Sequence, residues 1–99
     1  MIVVRNVFRL KFGKAREAVA LAKEAESIGK MHGGTPSRYM TDVTGEFYTF
    51  VMETSFENLT AMEKEQKEIM SKKEFSEWYQ KFTPLVESGY REIFNVVIG

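Results

Sequence analysis

The most informative stretch of the sequence is IVVRNVFRLK, residues 2–11. Its β-branched and aromatic residues favour a β-strand, in which successive side chains point to opposite faces of a sheet. One face of this strand carries Ile2, Val4, Asn6, Phe8 and Leu10. The other face carries Val3, Arg5, Val7, Arg9 and Lys11. Because both faces hold large apolar side chains, we expect a strand that is covered on both sides.

Hydrophobic periodicity and turn residues predict the remaining elements. They are a helix over 14–30, a hairpin of strands 37–43 and 46–54 around Thr44-Gly45, a helix capped by Ser55, a third helix that begins in the capping box Ser71–Glu74 and ends at Gly89, and a strand over 90–98. The order β-α-β-β-α-α-β is the split βαβ plan with one extra helix break. We therefore predict a single α+β domain over residues 1–99. It is a ferredoxin-like sandwich, in which helices cover one face of a four-stranded antiparallel sheet with the first and third strands in its centre.

Composition excludes several classes of function. The chain has 99 residues, with 14 basic and 14 acidic side chains and no net charge, which argues against a protein that grips nucleic acid through phosphate contacts. It has no cysteine and one histidine, so thiolate chemistry and a histidine-rich metal site within one chain are excluded. We see no targeting segment and no apolar run of about 18–20 residues. The sequence therefore predicts no nucleic-acid partner, no metal site, no membrane span and, by default, a cytoplasmic location.

The second face of the predicted sheet points to a partner chain. Whichever face of each strand meets the helices, two large apolar residues stay on the other, the smaller pairs being Val3 and Val7, Phe47 and Val51, and Ile93 and Val97. Burying six such side chains contributes on the order of 10 kcal/mol, at about 1.5–3 kcal/mol each. That is comparable to the whole stability of a small domain, and leaving them exposed would favour aggregation. We therefore expect a second copy to cover this face in a sheet-to-sheet homodimer.

Two short motifs carry a resemblance to a known superfamily. NVFRLKFGKA at residues 6–15 places an Asn on the first strand, alternating apolar residues after it and a Gly before the helix, and FSEWY at residues 75–79 lies on the last helix. Together with the predicted architecture, these motifs resemble the dimeric α/β-barrel superfamily over nearly the whole chain. The antibiotic-biosynthesis monooxygenases, with their haem-degrading branch, look nearest, and the NIPSNAP-like proteins share the architecture.

The resemblance implies roles for single residues. Asn6 matches the strand Asn that haem-degrading members use near the reactive edge of the cofactor. The helical Trp of that branch falls near Met62, and its iron-ligating His falls at Tyr79 or Trp78. Neither residue type is retained, and His32 lies in a loop far from that helix. We therefore expect no cofactor, with haem ligated by a Tyr as the alternative.

The candidate ligand pocket draws on the first strand and the last two helices. Its predicted residues are Asn6, Phe8, Met62, Phe75, Trp78 and Tyr79. Asn6 is the candidate for a catalytic role, and the alternative is that its amide bonds a neighbouring side chain or a water. The aromatic residues can wall a pocket for a flat apolar ligand, with the Trp78 N–H and the Tyr79 O–H as polar handles. The alternative for them, and for Met62, is ordinary core packing.

The remaining polar residues are given structural roles. His32 has no visible partner in the sequence, and we expect an exposed histidine without a function. The strand arginines are expected to pair with glutamates at the sheet edge or the dimer seam rather than to bind a carboxylate ligand; they are Arg5, Arg9, Arg38 and Arg91, with Glu46, Glu53 and Glu92 as partners.

Three functions stay open for such a pocket. The first is small-molecule binding with cofactor-independent monooxygenase chemistry on a flat apolar substrate, since the resemblance implies that such a substrate activates oxygen itself. The second is a non-enzymatic ligand-binding or stress-response module that uses the same pocket. The third is a dimerisation scaffold whose pocket is filled by its own aromatic side chains. A cavity large enough for a ligand separates the first two from the third.

Overall fold

Strand β1 (Ile2–Leu10) lies at the centre of a sheet and pairs antiparallel with β3 (Thr49–Phe56) on one side and β4 (Val86–Asn95) on the other. The short β2 (Arg38–Thr41) pairs with the outer edge of β3, which gives one four-stranded sheet in the order β2-β3-β1-β4. These strands come from a computed structural model that describes all residues, Met1 to Gly99. The predicted central position of the first and third strands is confirmed.

The helices form a single layer on one face of this sheet. They are α1 (Ala15–Met31), α2 (Leu59–Met70) and α3 (Lys73–Phe82), with a short 3-10 turn at Thr83–Leu85. Helix α1 contacts α3 and β2, and α2 contacts α3 and β3. The helical layer therefore lies over the β2–β3 side, and β4 is exposed along most of its length. The α+β ferredoxin-like fold is confirmed, and none of its helices is both long and apolar enough to span a membrane.

The buried core divides into two clusters along β1. The larger cluster is built on one end of this strand from Leu10, Ala18, Ala22, Ile28, Phe50, Trp78, Phe82 and Leu85. The smaller cluster lies at the other end and contains Ile2, Val4, Phe56 and Met62. Asn6 and the half-buried Phe8 lie between the two clusters on the same face of β1. The helix-facing side of β1 is thus the predicted one, and its only polar residue marks the break in the core.

The predicted two-residue hairpin at Thr44-Gly45 is wrong, because the connection is a longer loop. β2 ends at Thr41 and β3 begins at Thr49. The loop is closed at Asp42, whose backbone N–H donates to the Thr49 carbonyl and whose Oδ1 accepts from the Thr49 N–H at 3.0 Å. Gly45 and Tyr48 take positive φ angles of 108° and 60° inside it. As a result Phe47 lies on the loop rather than in a strand, and it is 71% exposed.

The start of α2 and the start of α3 use different caps from those predicted. β3 continues through Ser55 to Phe56, which pairs with Ile2, so Ser55 does not cap a helix. Asn58 is the cap instead, and its Oδ1 accepts from the Ala61 N–H at 2.9 Å. Helix α3 begins close to the predicted place, but its first residue is preceded by Lys72 without a side-chain cap.

The last strand begins four residues earlier than predicted, at Val86 rather than at residue 90. Pro84 lies in the 3-10 turn that ends the last helix, and the Leu85 carbonyl already accepts from the Lys11 N–H at 2.8 Å. Gly89 therefore does not end a helix but lies inside β4, opposite Phe8. A Cβ atom at Gly89 would lie 2.8 Å from the Phe8 Cδ1 atom. A glycine is needed there because the Phe8 ring occupies the space above it.

The face of the sheet opposite the helices, here called the outer face, combines apolar residues with ion pairs. The register places Val3, Val7, Met40, Val51, Tyr90 and Phe94 on it. Tyr90 and Phe94 are about half exposed, at 59% and 49%. Of the predicted apolar pairs, only Val3 and Val7 lie there complete. Ile93 pairs with Val4 on the helix side, and the exposed Val97 follows the end of β4.

Candidate functional site

A cavity of about 1020 Å³ lies between the sheet and the helices. Its floor is the helix-facing side of β1 and β3, where Val4, Phe8 and Met52 line it. Its roof is aromatic and comes from α3. Because the helices lie over the β2–β3 side, the cavity reaches the β4 edge, where Gly89 and Arg91 line it. The volume is at the upper end of the range of about 300–1000 Å³ that small-molecule sites occupy.

Five of the six predicted pocket residues line this cavity. They are Asn6, Phe8, Phe75, Trp78 and Tyr79. Met62 does not line it, because it is buried in the smaller core cluster against Val4 and Phe56 at 6% exposure. The alternative for Met62, that it fills the core, is therefore the one that the structure supports.

Asn6 is hydrogen-bonded to the neighbouring strand. The Arg91 Nε–H donates to the Asn6 Oδ1 atom at 2.8 Å, and the two residues are direct partners in the β1–β4 register. This bond orients the Asn6 amide so that its NH₂ group keeps its donors for another acceptor. No carboxylate of the chain lies within ion-pair distance of Arg91. The pair therefore presents unpaired donors and one positive charge at the open side of the cavity.

The aromatic residues of the roof differ in their roles, since some pack in the core and others are open to the cavity. Trp78 is 5% exposed, its ring stacks on Phe82 with centroids 4.9 Å apart, and its Nε1–H donates to the Leu21 carbonyl at 2.7 Å. This indole N–H is consequently committed to α1 and is not a handle for a ligand. Phe75 stacks on Tyr79 at 5.8 Å, and Tyr79 is 52% exposed. Its phenol is the polar group that the roof leaves free.

The far side of the cavity, below α1, is acidic and rich in hydroxyl groups. The Glu26 carboxylate accepts from the Ser37 backbone N–H at 3.3 Å, and the Ser37 hydroxyl bonds the Thr54 hydroxyl. Burial raises the pKa of the Tyr39 phenol above its ordinary value, and the adjacent Glu26 carboxylate raises it further. Nearby, Glu65 accepts from the Thr35 hydroxyl at 2.7 Å. All of these groups line the same cavity as Arg91.

His32 has a partner that the sequence did not reveal. It caps the C-terminus of α1, its side chain is 18% exposed, and its Nε2 atom lies 3.4 Å from the Glu74 Oε2 atom at the start of α3. The pKa of the Glu74 carboxyl is lowered, mainly by its own backbone N–H and further by His32. The prediction of an exposed histidine is therefore wrong, and its contact joins two helices outside the cavity.

Three of the four strand arginines pair as predicted, and they do so on the outer face. The Glu53 carboxylate forms ion pairs with the Arg38 guanidinium at 2.7 Å and with the Arg5 guanidinium at 3.5 Å. Arg9 forms an ion pair with Glu46 of the long loop. Of these residues, Arg5, Arg9 and Glu46 border a groove of about 410 Å³ on that face. Arg91 is the exception, because it lies on the helix side and bonds Asn6.

Sequence reasoning did not place Arg91, Tyr39 or Glu26 in the cavity, nor polar neighbours such as Glu65 and Ser37. Arg91 was expected to pair with a glutamate, because both faces of its strand carry apolar residues and the alternation does not show which face meets the helices. Tyr39 and Glu26 meet only through the packing of β2 against α1. No local pattern in the sequence signals that contact.

A comparison with protein families matches the NIPSNAP family model over residues 4–97. The chain belongs to the NIPSNAP family. No curated protein matches it. The NIPSNAP model spans both the strand that carries Asn6 and the strand that carries Arg91, so the whole cavity lies inside the matched region.

Solved structures show the same fold for this NIPSNAP chain. A NIPSNAP family protein of unknown function from Agrobacterium tumefaciens is similar at TM-score 0.86 and 21% identity, with 95% of this chain and 86% of that chain covered. An uncharacterized NIPSNAP domain protein from Burkholderia xenovorans is similar at TM-score 0.87 and 14% identity, over 98% and 95% of the two chains. A candidate antibiotic biosynthesis monooxygenase from Nitrosomonas europaea is similar at TM-score 0.77 and 10% identity, over 99% and 100%. At these identities the likeness shows the fold alone.

Proposed function

We propose that this NIPSNAP protein binds a flat, largely apolar small molecule in the cavity between its sheet and its helices. The observation that carries the proposal is the cavity itself, about 1020 Å³, with an aromatic roof and an apolar floor. A scaffold whose own aromatic side chains filled this space would leave no such volume. The break in the core at Asn6 supports the same proposal, because the two core clusters leave a gap where a ligand takes the place of side chains.

The Asn6–Arg91 pair is the proposed anchor for a polar group of the ligand. Arg91 keeps its terminal N–H groups free, and the Asn6 amide keeps its own donors. Both suit an oxygen that carries negative charge, because hydrogen bonds from a charged donor to such an oxygen are about twice as strong as neutral ones. In this proposal Asn6 and Arg91 fix the orientation of the ligand, while Phe75 and Tyr79 stack on its body.

The catalytic form of the proposal is a cofactor-independent monooxygenation. A ring CH₂ group that becomes a carbonyl takes up one O₂ and releases one water, so the substrate supplies all the electrons. Asn6 and Arg91 would stabilise the enolate from which the electrons leave. Haem ligated by Tyr79 is the alternative to this cofactor-free form. His32 lies outside the cavity and the Trp78 N–H is bonded to Leu21, so Tyr79 is the one residue at the predicted ligand positions that offers an iron ligand. Non-catalytic binding of the same kind of ligand is the second candidate, since the cavity supports it equally.

A second copy of the chain is the proposed cover for the outer face. Val3, Val7 and Met40 are half-buried there, and Tyr90 and Phe94 are the most exposed apolar residues of that face. A two-fold axis through the sheet would bring these residues onto their own equivalents. The proposed dimer therefore uses the face that the helices leave free.

Titration with 2-naphthol tests the proposed ligand site. Trp78 is the only tryptophan and lines the cavity, so binding there quenches its emission, and calorimetry gives the dissociation constant. Gln66 is a half-buried cavity residue on α2, and its exposed neighbour Lys67 does not line the cavity. Gln66→Phe fills part of the cavity and should weaken binding about tenfold, or about 1.4 kcal/mol, while Lys67→Phe should not change it. Equal binding by both variants would place the naphthol elsewhere and refute the proposal.

Oxygen uptake separates the catalytic form from simple binding. A flat substrate with an acidic ring CH₂ group is supplied to the protein in an oxygen electrode, and the carbonyl product is quantified. Loss of uptake in Asn6→Ala, with binding retained, supports catalysis. Uptake that is unchanged in Asn6→Ala removes this residue from the reaction.

A further inference from the structure

Four residues form a row across the floor of the cavity, one from each strand. Tyr39 pairs with Met52, Met52 with Asn6, and Asn6 with Arg91. Because register partners point to the same face of a sheet, all four side chains rise toward the helices. Three strand spacings of about 4.8 Å separate the two ends of this transverse row by about 14 Å at the backbone.

The two ends of the transverse row have opposite character. At the β4 end, Arg91 carries a positive charge without an acidic partner and is joined to Asn6. At the β2 end, Tyr39 lies beside the half-buried Glu26 carboxylate, and Glu65 adds a second carboxylate to the same wall. Between them, Met52 offers an apolar surface below the aromatic roof.

We propose that the ligand is a flat acid with a hydrogen-bond donor at its opposite end. Its carboxylate or enolate oxygen lies at Arg91 and Asn6, its two-ring body crosses Met52, and its hydroxyl or amino group donates to Glu26. This inference rests on the proposed function, and it specifies the class of ligand that the cavity takes.

Charge fixes the direction in which such a ligand lies. An acidic group placed at the β2 end would meet Glu26 and Glu65, whereas a donor placed there meets acceptors. The Tyr39 phenol stays protonated at neutral pH, because burial and Glu26 both raise its pKa. It therefore adds no third negative charge, and it keeps its O–H for the Glu26 carboxylate. An acid at the β4 end meets free guanidinium donors, so the opposite orientation is disfavoured at both ends.

The test compares four naphthalene probes by calorimetry. 6-Hydroxy-2-naphthoate carries both groups, 2-naphthoate carries the acid, 2-naphthol carries the donor, and 2-methylnaphthalene carries neither. We expect the two-ended probe to bind at least about tenfold more tightly than either one-ended probe, since each end adds a hydrogen bond to a charged group.

Variants at each end assign the two contributions separately. Arg91→Gln should abolish the gain from the carboxylate and keep the gain from the hydroxyl, and Glu26→Gln should do the reverse. Arg91→Lys keeps the charge without the planar fork and should retain part of the carboxylate gain. Arg16→Gln, on the exposed surface of α1 outside the cavity, is the matched control and should change nothing. Circular dichroism checks that each variant is folded. If Arg91→Gln does not fold, Arg91→Lys replaces it, and if Glu26→Gln does not fold, Tyr39→Phe replaces it.

The outcomes distinguish this inference from the proposed function. If all four probes bind within about twofold of each other, the bipolar ligand is refuted while the cavity still binds flat apolar molecules. If Arg91→Gln weakens the binding of 2-naphthol as much as the binding of 2-naphthoate, Arg91 does not bind the carboxylate of the ligand. That result also refutes the inference. If no probe binds to the wild-type protein, the proposed function fails, and the inference fails with it.

Discussion

Trp78→Phe tests whether the indole of Trp78 holds the roof of the cavity in place. The Trp78 Nε1–H donates to the Leu21 carbonyl at 2.7 Å, and this is a hydrogen bond between α3 and α1. The indole is 5% exposed and stacks on Phe82. A phenyl ring at this position keeps the stacking, but it loses the hydrogen bond and the pyrrole half of the ring.

The expected loss of stability is about 3 kcal/mol. The hydrogen bond contributes about 1 kcal/mol net. The lost ring atoms contribute about 1.5 kcal/mol of apolar burial, and the space that they leave adds a smaller cavity cost. For a domain of this size the sum lowers the melting temperature by about 12–24 °C, at about 4–8 °C per kcal/mol.

Urea denaturation followed by far-ultraviolet circular dichroism measures this loss, at one fixed protein concentration because a dimer is proposed. Tyr79→Phe is the matched control on the same helix. Tyr79 is 52% exposed, and its phenol makes no hydrogen bond within the chain. The free energy of unfolding of Tyr79→Phe should therefore differ from that of the wild type by less than about 0.5 kcal/mol. If the free energy of unfolding of Trp78→Phe fell no more than that of this control, the hydrogen bond between α3 and α1 would not stabilise the roof of the cavity. That result would refute the reasoning.

Three further predictions concern the strand packing, the outer face and the helix junction. Gly89→Ala should destabilise the protein by about 1–2 kcal/mol, because its Cβ would meet the Phe8 ring at 2.8 Å. Gly29→Ala is the control, and because Gly29 lies in open space within α1, it should stabilise the protein by about 0.5–1 kcal/mol. Urea denaturation measures both free energies of unfolding. Phe94→Glu should reduce the mass in analytical ultracentrifugation from twice 11.4 kDa to 11.4 kDa. Leu59→Glu, at a similarly exposed position on α2, is the control and should leave the dimer intact. A wild-type protein that is monomeric at micromolar concentration would contradict the proposed dimer. The pKa of Glu74 is lowered in the folded state, so its stabilising contribution is present above the ordinary value of 4.5 and is lost as the pH falls through the lower folded value. Urea stabilities of the wild type and Glu74→Gln should therefore differ near neutral pH and converge in acid, and parallel curves would refute the contribution of this carboxyl group.

The sequence predicted the elements whose patterns are local and missed those that distant packing determines. β1 is identified by its own residues, and its helix-facing side follows from simple alternation. The local sequence predicts that a helix ends at Gly89. The actual reason for this glycine is the Phe8 ring above it, and nothing near Gly89 in sequence reveals that contact. The hairpin failed for a related reason. Gly45 does have a positive φ, but the Asp42 side chain closes the loop on Thr49 and displaces the strand start.

The same division holds for the candidate site. Asn6 could be selected because it is the one polar residue on an apolar strand face. Phe8, Phe75, Trp78 and Tyr79 could be selected by their spacing. Arg91 could not be selected, because both faces of the last strand carry apolar residues, so its alternation does not show which face meets the helices. The hydrogen bond of Trp78 was also out of reach, since its acceptor is a backbone carbonyl 57 residues away in the chain.

β4 connects the two surfaces on which the function is proposed to depend. It is the edge strand that the helices leave uncovered, and its residues alternate between the faces, with Arg91 on the cavity side and Tyr90 and Phe94 on the outer side. Ser88, Gly89 and Tyr90 border both the cavity and the outer groove. Segments with few buried contacts open locally more easily than core strands, and β4 is exposed along most of its length. A second copy on the outer face would hold Tyr90 and Phe94, and it would thereby fix the strand that carries Arg91. In this arrangement dimer formation pre-orders the ligand anchor without contributing any atom to the cavity.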